Sequence, residues 1–289
     1  MHSQRLYALV TAAKNEGAFI ARTMESVTRQ KILPTRWVTV SDSSTDGTDE
    51  IMKQYAARHD FIKYLRVESS AERSFHSKVM AVRAGMRQLE NIPYAFVGNL
   101  DADISLEDTY YETILSKFEE NPRLGIAGGM VCDAFAGKVH PPIRARNTVQ
   151  GCIQLFRRQC YEDIGGYHPF KYACEDAVAV IMARMSGWEV RSFDEPVVLH
   201  GRRMGTHGTS IWRARLLEGE VDFVMGSDPI FQLVKCVYRT AQRPYVVSGM
   251  LRLSGYLLAA AMRKPLVVPA PFVRYLRREQ RQRLFAGVR

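Results

Sequence analysis

Two aspartates one residue apart, Asp101 and Asp103, follow directly on an apolar run at residues 94–100. Unpaired, two carboxylates so close repel each other. A divalent cation that prefers oxygen ligands, Mg²⁺ or Mn²⁺, relieves that repulsion and also binds phosphate oxygens. The same pair can equally serve as loop acids or as caps of the next helix. Glu175 and Asp176 form a second acidic pair, at the start of a helical stretch. There the helix dipole favours acids on its own account. In a cleft, one such carboxylate is a general base that takes a proton from a hydroxyl. Asp42 follows another apolar run and opens a loop rich in Ser, Asp and Thr. It can accept from a base N–H or a ribose hydroxyl, or be a turn residue. His200 ends a short apolar segment and precedes Arg202 and Arg203. By residue type alone the histidine is a core or loop side chain. The arginines are candidate neutralisers of a diphosphate or a solvated basic loop.

The elements that must position these groups alternate. Residues 7–11, a short apolar run, read as a buried strand, and residues 37–40, 62–67, 94–100 and 124–131 as further strands. Amphipathic stretches at 18–29, about 48–59, 78–89 and 110–118 read as helices between them, with Asp46 or Thr48 as the cap of the second. Residues 105–108, Ser-Leu-Glu-Asp, resemble a capping box. Short strands are expected at 189–193 and 197–199, one more within 144–156, and helices at 159–164 and 176–186. This is an α/β pattern. It predicts an open, mostly parallel sheet with helices on both faces, which binds ligands beyond the carboxyl ends of its strands. Asp42 and Asp101/Asp103 fall at such ends.

The chain of 289 residues is 46% apolar and 24% charged, enough for a real core and unlike a disordered chain. Five cysteines, odd in number and without a C-x-x-C pair, argue against a disulfide scaffold or zinc ribbon and fit a reducing compartment. The first residues carry no long apolar core, so no signal peptide is expected. Net charge is +10, and it is segregated: residues 200–289 hold 16 Lys/Arg against 5 Asp/Glu. A basic appendage on a near-neutral body points to an anionic partner. Residues 229–239 carry an apolar face. Residues 246–262 are largely apolar but contain Arg252 and are too short for a clear spanning helix, so they are expected to lie in an interface with Arg252 snorkelling. Residues 274–284 form a basic helix. Together these predict a membrane-associating module on an anionic surface; a helical subdomain or subunit interface is the alternative, leaving a homo-oligomer open. No nucleic-acid motif is present, so none is expected as a partner. The domains read as 1–200 and 201–289.

Taken in order, Thr11-Ala12-Ala13-Lys14-Asn15-Glu16, Ser41-Asp42-Ser43-Ser44-Thr45-Asp46-Gly47-Thr48, Lys78 within residues 77–85, Asp101-Ala102-Asp103, Gly165-Gly166-Tyr167, Glu175-Asp176 and His200 resemble the family 2 glycosyltransferases of the GT-A fold. The resemblance spans residues 7–200. It implies a Rossmann-like sheet and a nucleotide-sugar held by Ala13, Asn15, Glu16, Asp42, Lys78, Asp101 and Ala102. It implies Mg²⁺ or Mn²⁺ on Asp101 and Asp103, with His200 as a third metal ligand or a phosphate contact, and an inverting transfer in which Asp176, beside Glu175, is the catalytic base. Two features depart from the pattern. The second loop begins Ser41-Asp42 where the family often has Asp-Asp. The Gln-x-x-Arg-Trp motif of processive synthases is absent, and Trp212-Arg213 carries two of its residue types reversed. The implied enzyme adds one sugar, with a lipid-linked saccharide at the cytoplasmic membrane face as the expected acceptor, in cell-surface polysaccharide assembly. A nucleotidyltransferase, which releases pyrophosphate rather than a nucleoside diphosphate, and a non-catalytic membrane-bound assembly factor are the alternatives.

Overall fold

The structure is a computed structural model that describes residues 5–68, 75–135, 138–140, 146–170, 172, 174–201, 210–240 and 246–285. It divides into two compact units, Met1–Arg203 and Met204–Arg289.

The first unit is built on strands β1 (Tyr7–Ala13), β2 (Arg36–Asp42), β3 (Ile62–Val67), β4 (Phe96–Asn99), β5 (Ile104–Leu106), β6 (Leu124–Phe135), β7 (Lys138–His140), β8 (Leu155–Arg157) and β9 (Glu189–His200). Helices α1 (Ile20–Thr28), α2 (Thr48–Arg58), α3 (Phe75–Arg87), α4 (Tyr110–Glu120), α5 (Arg158–Asp163) and α6 (Glu175–Met185) connect and cover them. The sheet order is β3-β2-β1-β4-β8-β6-β9-β5, with β7 on β6. β3, β2, β1 and β4 run parallel, as do β6 and β9; β8 and β5 enter antiparallel. Tyr7–Val10 of β1 are fully buried, as a central strand covered on both faces must be. The stripe Tyr111, Ile114, Leu115 and Phe118 of α4 is buried, and Tyr111 stacks on Tyr7 with ring centroids 4.5 Å apart.

Three local expectations are corrected. Helix α2 is preceded by Gly47 at φ 87°, a left-handed turn; Thr48 is already helical, and its N–H is accepted by Asp46 Oδ1 at 3.2 Å. Residues 105–108 are not a capping box: Ile104–Leu106 pairs as β5 with β9, and α4 begins only at Tyr110. The two short strands at 189–193 and 197–199 are one strand, β9, which passes through the cis Glu195–Pro196 bond.

The second unit holds α7 (Ile211–Val224), α8 (Pro229–Arg239), α9 (Val247–Ala261) and α10 (Ala270–Phe285). Helices α7 and α9 approach so closely that a Cβ on Gly219 would collide with the Arg252 carbonyl, and one on Gly255 with the Leu216 carbonyl. The expectation that Arg252 snorkels is overturned. It is 8% exposed and turned inward. Its Nε and Nη2 donate to Asp222 Oδ2 and Oδ1 at 2.6 and 3.0 Å, and its Nη1 to Glu218 at 2.5 Å. Two acids on α7, Asp222 and Glu218, compensate the desolvation of the buried guanidinium.

Candidate active site

Three loops leave the carboxyl ends of β1, β2 and β4, which lie side by side in the sheet. The first two are knitted together. Ala13, 3% exposed, pairs with Ser41 in register. Asn15, at φ 56°, donates its N–H to Ser44 Oγ at 3.1 Å and accepts from Thr45 N at 2.8 Å. The Glu16 N–H donates to Thr48 Oγ1 at 2.9 Å, and its carbonyl accepts from Phe19 and Ile20 at the start of α1. The Asn15 amide and the Glu16 N–H thus face the second loop. Asp42 is 3% exposed, and Lys14 Nζ lies 3.8 Å from its Oδ2. Its Oδ1 is buried with no hydrogen-bond donor among the described residues.

The third loop carries the D-x-D pair, whose two acids are held apart. Lys78, in the first turns of α3, pairs with Asp101 at 2.8 and 3.0 Å. Burial pulls the Lys78 ammonium down, but the carboxylates of Asp101, Glu175 and Asp176 outweigh it and hold it above the usual lysine range. Ala102 is buried at 4% exposure, and its carbonyl accepts from Thr23 Oγ1 at 2.8 Å, tying the loop to α1. Asp103 faces the other way, with Oδ2 3.5 Å from His200 Nε2. The pairing of Ile104 with His200 in the β5–β9 ladder brings them together. Burial first, then the charge of Asp101, pushes the Asp103 carboxyl up.

Glu175 and Asp176 begin α6 as expected and reach the same cleft, lined by Lys78, Val79, Asn99, Gly151, Tyr167 and the two acids. Asp176 accepts from the backbone N–H of Gly151 at 3.1 Å and of Ala177 at 2.8 Å. Burial raises its carboxyl, while Ala177 N–H and Lys78 oppose the rise. Glu175 Oε2 is buried without a donor among the described residues. Burial, then the charge of Asp176, lifts the Glu175 carboxyl to about 7. Two groups that sequence reasoning missed organise this cleft. Asn99 Nδ2 donates to Asp101 Oδ1 at 3.3 Å and to the Gly151 carbonyl at 2.8 Å. Gly151 in turn holds Asp176. Asn99 was signalled only as a polar residue ending the apolar strand before Asp101. Arg202 and Arg203 lie outside the described residues.

Gly151 leaves no room for a side chain. An added Cβ would lie 2.6 Å from Asp176 Oδ2 and 2.8 Å from its Cγ. Gly151→Ala is therefore expected to displace Asp176 and to cost the fold about 1–3 kcal/mol. A lowered melting temperature checks this.

The residues fit a divalent cation in part. Asp101, Asp103 and His200 are oxygen and nitrogen donors suited to Mg²⁺ or Mn²⁺, and the upward push of Asp101 on Asp103 is a repulsion that a cation would relieve. Among the described residues, no three His, Cys, Asp or Glu side chains converge as a closed cage. An ion that takes part of its shell from phosphate oxygens needs no such cage.

Among staphylococcal proteins, the poly-beta-1,6-N-acetyl-D-glucosamine synthase of Staphylococcus epidermidis is 24% identical over 216 residues, covering 68% of this chain and 48% of the synthase. The Staphylococcus aureus synthase is 21% identical over 224 residues, covering 71% of this chain and 52% of the synthase. The chain thus spans about half the length of these curated relatives. A mannosyltransferase from Pyrobaculum calidifontis, solved with GDP-Man and Mn²⁺, superposes with a TM-score of 0.57 at 16% identity, over 95% of this chain and 84% of that one. The S. aureus protein TarS, residues 1–349 with UDP-GlcNAc, superposes with a TM-score of 0.55 at 14% identity, over 94% of this chain and 78% of that one. At these identities the two structures establish a shared fold, the GT-A arrangement of a mostly parallel sheet flanked by helices. The model of the family described as Glycosyl transferase family 2 matches residues 8–170, more than half of the chain, from β1 through the Gly165-Gly166-Tyr167 turn. The protein belongs to glycosyl transferase family 2.

Proposed function

We propose that the protein moves one sugar from a nucleotide-sugar to an acceptor hydroxyl, with inversion at the anomeric carbon. The observation that carries this reading is the convergence of Lys78, Glu175 and Asp176 on one cleft, with Asp101 paired to Lys78 beside it. In this reading the knitted first and second loops, with Asp42 and its unmet Oδ1, receive the base and ribose. Lys78 supplies positive charge to the diphosphate, and Asp176 takes the proton from the acceptor hydroxyl. Asp176 is held for that task by two backbone N–H groups. Asp101 and Asp103, with His200, would hold Mg²⁺ or Mn²⁺, which supplies charge neutralisation of the departing nucleoside diphosphate. Single addition is supported by the absence of a Gln-x-x-Arg-Trp motif; Trp212 and Arg213 instead lie in the first turn of α7. The acceptor we propose is a lipid-linked saccharide at the cytoplasmic face of a membrane. No helix of the described residues is long and apolar enough to cross one. The contact we propose is peripheral or monotopic, through the helices of residues 210–285.

The deciding experiment incubates the protein with nucleotide-sugars, Mn²⁺ and candidate acceptors and analyses the products. Release of a nucleoside diphosphate with a product one sugar longer supports the reading. Pyrophosphate release would make it a nucleotidyltransferase, and a ladder of products would make it a polymerase. Asp103→Ala is expected to remove the Mn²⁺ dependence of nucleotide binding. The fold should remain, because the carboxylate belongs to a loop rather than to the core. Calorimetric titration with and without Mn²⁺ checks this; unchanged dependence would remove Asp103 from the metal site.

A further inference from the structure

Helices α8 and α9 turn much of their apolar surface outward. In α8, Ile230, Leu233, Val234, Val237 and Tyr238 recur at helical spacing, yet all are exposed, Ile230 at 66% and Val237 at 62%. Its buried positions are Gln232 and Cys236. Helix α9 repeats the pattern in part: Val247, Met250, Leu257 and Leu258 face outward, with Met262 just past its end, whereas Arg252 and Ser248 are buried beside Tyr256 and Ala259. A polar hub, Asp222 with Arg252, Lys235 and Gln232, takes interior space that these apolar side chains would otherwise fill. A surface of this size and polarity is not one that water favours.

Charge identifies what covers it. All five carboxylates of residues 210–285 are tied to a basic partner: Glu218 and Asp222 to Arg252, Glu220 to Lys264, Asp228 to Arg281, Glu279 to Arg283. Arg213, Arg263, Arg274 and Arg278 are exposed. Among the described residues, the outward surface of this unit therefore combines apolar side chains with arginines and offers no untied acid. A second copy of the chain would bring arginine against arginine. An anionic bilayer offers acyl chains to the first class and phosphates to the second.

We infer that the outward faces of α8 and α9 insert into the headgroup–acyl boundary of an anionic membrane while the exposed arginines bind its lipid phosphates. This deepens the membrane part of the proposed function and is independent of which sugar is moved.

The test uses the full chain with vesicles of phosphatidylcholine alone and of phosphatidylcholine with phosphatidylglycerol. The protein is expected to co-sediment with the anionic vesicles and far less with the neutral ones. High salt should weaken the binding without abolishing it, because apolar insertion is not screened. Ile230→Gln with Val237→Gln removes apolar surface without adding charge and is expected to lower vesicle partitioning at least about tenfold. Circular dichroism and nucleotide binding should be unchanged, since both side chains point out of the fold. Leu257→Gln should act in the same direction through α9. The inference is overturned if the wild-type chain ignores anionic vesicles, or if it is a dimer that the double variant splits. It is also overturned if salt alone abolishes binding and the double variant binds normally, which would leave only arginine attraction. Transfer to a short soluble acceptor, measured in parallel, separates failure of membrane binding from failure of the sugar-transfer reading.

Discussion

Asp176→Asn is expected to lower the transfer rate by roughly 10²–10⁴-fold while leaving donor binding within a few-fold of the wild type. The amide keeps the shape of the carboxylate but does not accept a proton at neutral pH. It also meets two backbone donors, Gly151 N–H at 3.1 Å and Ala177 N–H at 2.8 Å, with only one acceptor oxygen. One of those bonds is lost, at a cost of about 1–3 kcal/mol to the fold, so a lowered melting temperature accompanies the rate loss. Rescue of rate without rescue of melting temperature, or the reverse, separates the two effects. The pH profile carries a second signature. Burial, then the charge of Asp176, raises Glu175 to about 7, and burial raises Asp176 as well. The wild-type kcat/KM profile should therefore fall on the acid side as the pair takes up a proton, well above the usual carboxylate range. These raised values also set a sign for stability. The folded state binds more protons than the unfolded chain between about pH 4.5 and 7, so the pair's contribution to stability declines as pH rises through that window. If Asp176→Asn turns over normally, Glu175, with Oε2 buried and undonated, is the next base to test by Glu175→Gln.

Much of the fold was legible because most strands of the first unit are apolar runs and helices such as α4 bury one clear stripe. The run at 62–67 is β3 residue for residue, and residues 229–239 are α8. What was not legible depends on pairings distant in sequence. Nothing near residues 104–106 announces that they pair antiparallel with 198–200, yet that ladder sets His200 beside Asp103. Pro196 reads as a break, but β9 runs through it against β6. Helix α7 left no apolar stripe to read, because it buries Gly219 and Asp222. In the site, the acids and Lys78 stood out by type and order. Asn99 and Gly151 did not, since an amide and a glycine acquire meaning only when the fold brings residues 99, 151 and 176 together.

Asp222→Ala is expected to unfold the second unit selectively. The carboxylate accepts from Arg252 Nε and Nη2 at 2.6 and 3.0 Å, from Lys235 Nζ at 2.8 Å and from Gln232 Nε2 at 2.8 Å. Burial opposes the charge on Asp222, but Lys235 and Arg252 overcome it and hold the carboxyl far below its ordinary range. Removal leaves two cations facing each other in a site with little water, a loss of about 3–5 kcal/mol. For a unit of this size that lowers the melting transition by roughly 12–40 °C. The sign with pH follows from the depressed value. The hub's contribution is fully present above the unfolded pKa near 4 and is lost only as pH falls toward the much lower folded value. The wild-type unit should thus hold through mildly acidic solution, whereas the variant is unstable at every pH. Limited proteolysis reads this directly: cleavage within residues 211–285 should accelerate strongly, with nucleotide binding by the first unit retained. Asp222→Asn, which keeps two acceptor lone pairs but not the charge, should fall between wild type and alanine. A variant that resists protease like the wild type would mean that water, not the protein interior, surrounds the hub. The outward apolar faces of α8 and α9 would then need another cause, because an ionic centre buried between the helices is what takes the interior space those side chains would otherwise fill.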